Sequence, residues 1–190
     1  DYNDNAIDEY AINSDGSLLP RYIVNSGGNG PVSITISPNK LYAYVVNAAS
    51  GNIATYSINP ANGMLSYAST LNIGGQLGSL VFTPDNKFAY VSNYTNAIDG
   101  HITVLSVQTT GALAQLSSTT MTYLSYPDKM VIDQTGNLYV GFKFNTDKDY
   151  TSIQPYTISA NGMLLASPLI AVAGSAVTSL DLSSDGKYLY

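Results

Sequence analysis

The chain repeats one phrase four times, and this repeat limits the folds that are open to it. Each copy has an apolar, strand-like segment followed by a turn that contains glycine. The copies occupy residues 6–18, 52–65, 101–113 and 152–164. Their turn glycines are Gly16, Gly63, Gly111 and Gly162, so successive copies are 47, 48 and 51 residues apart. A period near 50 residues built from short strands is typical of stacked β-sheet units.

A second phrase lies between these copies and keeps step with them. It joins two apolar segments through a short polar turn, as in residues 34–47 and 80–93, and it returns in weaker form at 130–142 and 180–190. Each unit therefore contains four strands bounded by Gly, Pro, Asn and Asp turns. We predict an all-β fold, a β-propeller of four-stranded blades with about four blades' worth of sequence present.

The predicted blades divide one domain, residues 1–190, without a linker. A partial blade at 1–30 is followed by blades at about 31–77, 78–125 and 126–176, and by a partial blade at 177–190. Either the two partial blades combine to close a four-bladed ring, or the chain is part of a larger propeller. We favour the larger, seven-bladed form because Tyr190 ends the chain in the middle of a predicted strand.

Alternation of apolar residues along the innermost strands predicts which side chains lie between blades. Stacked blades bury their faces against each other. We expect the following residues to be buried there: Ile34, Ile36, Leu80, Phe82, Val131, Leu180 and Leu182.

Composition excludes several classes of partner and chemistry. Only 11% of the 190 residues are charged, the net charge is −6 and no basic stripe exists, so neither nucleic acid nor an anionic membrane surface is an expected partner. The absence of cysteine excludes disulfides and thiolate catalysis. The longest apolar stretch, around residues 164–173, is too short to span a membrane. The low charge predicts an exported protein, extracellular or in the cell envelope.

The sequences YVVN at 44–47 and YVSN at 90–93 resemble the repeat of the lactonase-like seven-bladed propellers, which include 6-phosphogluconolactonase. The resemblance covers the whole chain. It implies lactone hydrolysis by His, Arg and Glu around a central channel, with a Pro-His step opening an inner strand. Here the corresponding steps are Pro-Val at 31–32 and Pro-Asp at 127–128. The chain has one histidine, one glutamate and one arginine. His101 and Glu9 fall on predicted third strands and Arg21 on an outer strand, so none of them matches a catalytic residue of the family.

Candidate ligand-binding residues lie in the loops between second and third strands. We predict Asn47, Asn93, Asp99, Asp147 and Asp149 on this loop face. Asn145, Asp147 and Asp149 alternate as oxygen ligands for Ca²⁺ would, but Lys148 opposes a cation, so a solvated loop without metal or other cofactor is favoured.

Three further features each have a structural interpretation and a functional one. His101 is favoured as an ordinary strand residue, although Asp99 lies close enough in sequence to orient a general base. Asn93 opens a glycosylation sequon that chance also explains. The sixteen tyrosines are favoured as packing between blades, with a stacking platform for sugar as the alternative.

Three functions remain open from the sequence. The leading interpretation is a non-catalytic propeller that acts as an exported binding or assembly module, with a protein partner or further copies of itself. The first alternative is a lactonase-type hydrolase represented by an incomplete chain, with a small sugar or lactone as ligand. The second alternative is a structural subunit of a cell surface or filament.

Overall fold

The computed structural model describes residues 1–95, 100–121, 125–144, 151–172 and 177–190. All of its regular structure is strand, as the sequence predicted. The strands are β1 (Ala6–Ile12), β2 (Leu18–Asn25), β3 (Pro31–Ile36), β4 (Tyr42–Asn47), β5 (Asn52–Ile58), β6 (Leu65–Asn72), β7 (Gln76–Phe82), β8 (Phe88–Tyr94), β9 (Gly100–Val107), β10 (Leu113–Met121), β11 (Ser125–Ile132), β12 (Asn137–Phe144), β13 (Thr151–Ile158), β14 (Leu164–Ala166) and β15 (Ile170–Val172).

These strands form one antiparallel pair and three blades. The pair is β1–β2; blade A is β3–β4–β5–β6, blade B is β7–β8–β9–β10, and blade C is β11–β12–β13 with β14 and β15 both paired to β13. Strand β7 begins two residues before the predicted blade boundary, at Gln76. The outer strand of blade C is split around Pro168, which has no N–H to donate to a ladder.

The turns between inner and second strands share one construction. In blade B, Thr83 Oγ1 donates to Asp85 Oδ1 at 2.7 Å and accepts from Phe88 N at 3.1 Å. One residue of each such turn has positive φ, namely Lys40, Asn86, Gly136 and Gly186. These turns are structural hairpins, as their Asn, Asp and Gly residues predicted.

The core lies between blades rather than within one sheet. Along β4, Tyr44 and Val46 face blade B and pack with its Leu80 and Phe82. The alternate residues Ala43 and Val45 face the other way and belong to a smaller cluster that Ile7 of β1 contacts. A third cluster joins blades B and C around Tyr90, Val140 and Phe142. Because side chains alternate along a strand, each central strand packs against the blades on both of its sides.

The burial prediction is confirmed at two positions and wrong at two. Leu80 and Phe82 are buried, whereas Ile34 and Ile36 are about half exposed, at 49% and 50%. The odd-numbered side of β3 faces blade B, since Thr35 Oγ1 donates to the Leu80 carbonyl at 3.1 Å. Ile34 and Ile36 face the opposite way, toward the place of an inner strand in the blade before blade A. In that blade β1 and β2 form only the third and outer strands.

The remaining three predicted core residues, Val131, Leu180 and Leu182, are half-buried.

The two ends of the chain form separate structures. Strand β1 pairs with β2, while Leu182 bridges Leu189 within a hairpin of residues 177–190. That hairpin docks on blade C, where Val177 N donates to the Phe142 carbonyl at 3.1 Å. Among the described residues β1 and the hairpin do not pair, so the closed four-bladed alternative is wrong for this fold.

Candidate functional site

One face of the propeller gathers the starts of the inner strands and the ends of the second strands; we call it the loop face. The antiparallel register brings these ends together, because Pro31 pairs with Asn47, Leu77 with Asn93 and Pro127 with Phe142. Connections between neighbouring blades also emerge here. Side chains from separate blades can therefore meet on this face.

An open cleft of about 740 Å³ lies on the loop face. Three tyrosines from different parts of the chain line it: Tyr2 before β1, Tyr94 at the end of β8 and Tyr126 in β11. The other lining residues are Ala48, Ala49, Gly75, Gln76 and Thr95. The Tyr94 and Tyr126 rings meet edge to face, with centroids 4.7 Å apart and planes at 76°. Ring faces with hydroxyl groups at their tips suit a sugar-like ligand that has both C–H and O–H surfaces.

A β-bulge at the start of β11 carries two opposite charges, two and three residues after Tyr126 of the cleft. The register shifts between Pro127 and Lys129, so Asp128 is the extra residue. Consecutive side chains of a regular strand point to opposite faces. Here Lys129 Nζ nonetheless lies 3.5 Å from Asp128 Oδ1, because a bulge re-aims its side chains.

Gly78 makes room for Asp128 against the inner strand of blade B. A Cβ atom built on Gly78 would lie 3.2 Å from the Asp128 carbonyl oxygen and 3.5 Å from its Oδ1. The same atom would lie 2.7 Å from Ser92 Oγ. Glycine therefore allows the two inner strands to approach closely at this point. The side chain of Asp128 is 25% exposed and that of Lys129 is 43% exposed.

The environment of Tyr94 keeps its hydroxyl protonated. Burial raises the pKa of Tyr94, and the negative charges of Asp128 and Tyr126 raise it further. A tyrosine of this kind serves as a hydrogen-bond donor at neutral pH. Tyr126 has φ +55°, a left-handed conformation that is uncommon for a residue other than glycine and is often found at functional sites.

Two of the predicted ligand residues lie beneath the loop face. Asn47 is fully buried and Asn93 is 7% exposed. Asn47 Nδ2 donates to the Ser26 carbonyl at 2.9 Å, and Asn93 Oδ1 accepts from Thr103 Oγ1 at 3.1 Å. Both side chains therefore hold loops and strands in place, and ligand binding by them stays a prediction. Asp99, Asp147 and Asp149 lie outside the described residues, as does the suggested calcium loop with Asn145.

The burial of Asn93 also bears on the sequon. Its side chain lies within β8 and accepts a hydrogen bond, so the folded protein does not present Asn93 to a glycosylating enzyme.

The single arginine and glutamate meet at the rim, away from the loop face. Arg21 Nη1 lies 4.0 Å from Glu9 Oε1 and donates to the Asn62 carbonyl at 2.8 Å. These contacts join the β1–β2 pair to the turn between β5 and β6 of blade A. His101 is half-buried on β9, a third strand. Glu9 and Arg21 thus lie on the third and outer strands β1 and β2, the strand types predicted for them.

Sequence reasoning did not bring together Tyr94, Tyr126, Asp128 and Lys129. The Pro-Asp step at 127–128 was visible as a departure from Pro-His, but the bulge that turns Asp128 and Lys129 to one side was not. Within the described ranges no group of three or more His, Cys, Asp or Glu residues could hold a metal ion. The same ranges contain no helix that could span a membrane.

Comparison with known proteins was made by sequence and by structure. The sequence model of the family of seven-bladed β-propeller lactonases matches residues 3–167 of this chain. A 6-phosphogluconolactonase of Enterobacter sp. (strain 638) is 25% identical over 141 residues, which is 69% of this chain and 41% of that protein.

Solved structures share the fold. A candidate 6-phosphogluconolactonase of Bacteroides uniformis superposes with a TM-score of 0.83 at 19% identity, over 99% of this chain and 57% of that one. The periplasmic gluconolactonase PpgL of Pseudomonas aeruginosa has a TM-score of 0.67 at 18% identity, over 90% of this chain and 49% of that one. The chain thus spans about half the length of the relatives it matches.

These matches contradict the leading sequence interpretation. A non-catalytic binding or assembly module was favoured because His, Arg and Glu were missing from the expected positions. The family model and the curated relative both support the lactonase-type alternative instead. The error came from expecting all the catalytic residues of a propeller within a chain that spans about half the length of its relatives.

Proposed function

Since this chain belongs to the lactonase family of seven-bladed β-propellers, we propose that it forms part of a lactone hydrolase. Its substrate is a sugar lactone, bound over the cleft of the loop face. The observation that carries this proposal is the meeting of Tyr2, Tyr94 and Tyr126 around a cavity of about 740 Å³. The names of the Enterobacter and Pseudomonas relatives support an aldonolactone as the substrate class.

The chemistry of the cleft fits such a substrate. A sugar lactone offers C–H surface to an aromatic ring and hydroxyl groups to donors and acceptors. Tyr94 and Tyr126 supply rings at right angles to each other, while Gln76 and Thr95 supply polar groups at the same rim. Pockets of this kind combine aromatic walls with a few polar groups that fix orientation.

The test is hydrolysis of glucono-1,5-lactone and its 6-phosphate by the protein at its natural length. Proton release is followed against the spontaneous rate in buffer. We expect saturable turnover of at least one lactone, and Tyr126→Ala should raise KM by about tenfold, the equivalent of about 1.4 kcal/mol of lost stacking. Tyr10→Ala is the matched control, because Tyr10 is 49% exposed on β1 and is not one of the residues that line the cleft. Turnover no faster than buffer with either lactone would reject the proposed function.

Location and partners are further parts of the proposal. The low charge of the chain supports a protein of the cell envelope or the extracellular space. The exposed apolar edges of the fold support contact with further blades or with a protein partner. Fractionation of source cells with an antibody against the chain tests the location, and a cytoplasmic signal would contradict it.

A further inference from the structure

The ion pair Asp128–Lys129 lies on the β11 bulge, directly after the part of the strand that contributes Tyr126 to the cleft. Asp128 lies two residues after Tyr126 and packs against Gly78, which lies two residues after Gln76; Tyr126 and Gln76 both line the cleft. Its carboxylate is partly buried yet still reached by solvent at 25% exposure. A carboxylate that solvent still reaches can accept a proton from a water molecule.

Three features describe the surroundings of Asp128. The bulge gives it a position that regular pairing would not, since Asp128 has no partner on β12. Gly78 leaves the space that a Cβ would fill. Lys129 Nζ lies 3.5 Å from Oδ1 and forms an ion pair with the carboxylate. A partly exposed ion pair of this kind adds little stability by itself.

We propose that Asp128 is the general base of the lactone hydrolysis, with Tyr94 as a hydrogen-bond donor to the lactone carbonyl oxygen. The inference rests on the proposed function and adds the residues that act in it. Lys129 is a positioning residue, since its ammonium group touches Asp128.

The proposed step balances without a cofactor. The oxygen of a water molecule forms a bond to the lactone carbonyl carbon as the Asp128 carboxylate takes one proton from that water. The tetrahedral intermediate carries its negative charge on the former carbonyl oxygen, where the Tyr94 hydroxyl donates. When the intermediate collapses, the ring C–O bond breaks and the proton passes from Asp128 to the departing ring oxygen. The product is the open-chain hydroxy acid.

The first experiment compares Asp128→Asn with wild type in the protein at its natural length. The substitution keeps the size of the side chain and removes the proton acceptor. We expect kcat to fall by about 100-fold or more, with KM within about threefold of wild type, because general bases contribute in this range. The matched control is Asp185→Asn, which removes a carboxylate that lies 3.6 Å from Lys187 in an exposed turn. The control should keep wild-type kcat.

The second experiment uses a readout that a structural role would not move. Asp128→Ala is assayed with and without added formate, a small carboxylate that can replace the missing base. We expect formate to restore the rate by about tenfold, and to have no effect on Asp185→Ala. Restoration supports the inference, and its failure in a folded variant overturns it.

The two proposals fail in different ways. Wild-type protein without lactone turnover overturns both of them. Wild-type turnover that persists in Asp128→Asn with kcat within about threefold overturns the role of Asp128 and leaves the lactonase function standing.

Discussion

The interfaces between complete blades differ from the faces at the two ends of the chain, although the same phrases build both. Tyr44 donates its hydroxyl to the Gly111 carbonyl of blade B at 2.8 Å, and Tyr90 repeats the contact with Gly162 of blade C at 2.9 Å. The corresponding residue of the last copy, Tyr190, is 75% exposed. A tyrosine at this sequence position is therefore buried only where the following blade supplies the glycine turn.

The comparison extends to the apolar residues. Tyr44 stacks on Phe82 across the A–B interface with ring centroids 4.8 Å apart. On the other side of blade A, Ile34 and Ile36 remain about half exposed. Burial in this fold is thus a property of neighbouring blades rather than of the strand that carries the residue.

The largest expected effect contrasts Phe82→Ala with Ile34→Ala in the 190-residue chain. Phe82 is 8% exposed, and its removal leaves a cavity at the A–B interface, so we expect a loss of about 3–5 kcal/mol in the free energy of unfolding. Ile34→Ala should cost less than about 1 kcal/mol, because Ile34 is 49% exposed. Urea titration measures both values, and equal losses would contradict the comparison.

A smaller effect contrasts two turn glycines of the same phrase. Gly111 and Gly16 both have positive φ, so alanine strains either backbone. A Cβ at Gly111 would also lie 2.4 Å from the Tyr42 ring, whereas none of the described atoms comes within 4 Å at Gly16. We expect Gly111→Ala to cost about 2–3 kcal/mol and Gly16→Ala about 1 kcal/mol. Matching melting temperatures for the two variants would argue against a packed turn at Gly111.

The smallest effect uses pH to compare two hairpin carboxylates. Burial alone would raise the pKa of Asp133, but hydrogen bonds from Asn137 and Thr135 outweigh it and lower the pKa to about 2, from an ordinary value of 3.8. Because the folded-state pKa is depressed, its stabilisation is present above about pH 4 and is lost as the pH falls toward 2.

Asp133→Asn should therefore cost about 1–2 kcal/mol at pH 6 and progressively less toward pH 2. Asp185→Asn, in the exposed terminal hairpin, should change the free energy of unfolding much less than Asp133→Asn does at pH 6. Unfolding titrations at pH 6, 4 and 2 give the comparison. A difference between Asp133→Asn and wild type that does not shrink on acidification would show that the hydrogen bonds do not favour the charged form.

The candidate site was predicted only in part. The loop face followed from the order of strands, and tyrosines as a sugar platform were weighed from their number. The particular tyrosines were not identified, because Tyr94 and Tyr126 lie in neighbouring blades more than thirty residues apart in sequence. Asn47 was chosen as a ligand residue because it follows a strand, yet its side chain turns inward to the Ser26 carbonyl.

The sequence by itself determined the blades of this protein. Apolar residues at a period of two, separated by Gly, Asn and Asp turns that recur near every 50 residues, leave few alternatives to stacked four-stranded sheets. Local chemistry is sufficient for this, because each turn satisfies its own backbone groups, as Thr83 and Asp85 do.

Only the tertiary structure decided which strand faces are buried and which polar groups meet. Ile34 and Leu80 occupy equivalent positions on inner strands. Leu80 is buried because it faces a complete blade, whereas Ile34 is about half exposed because it does not. The bulge that leaves Asp128 without a partner on β12 depends on how β11 fits against β12, which no single strand encodes. Contacts between blades join residues distant in sequence, and no local pattern encodes their distance.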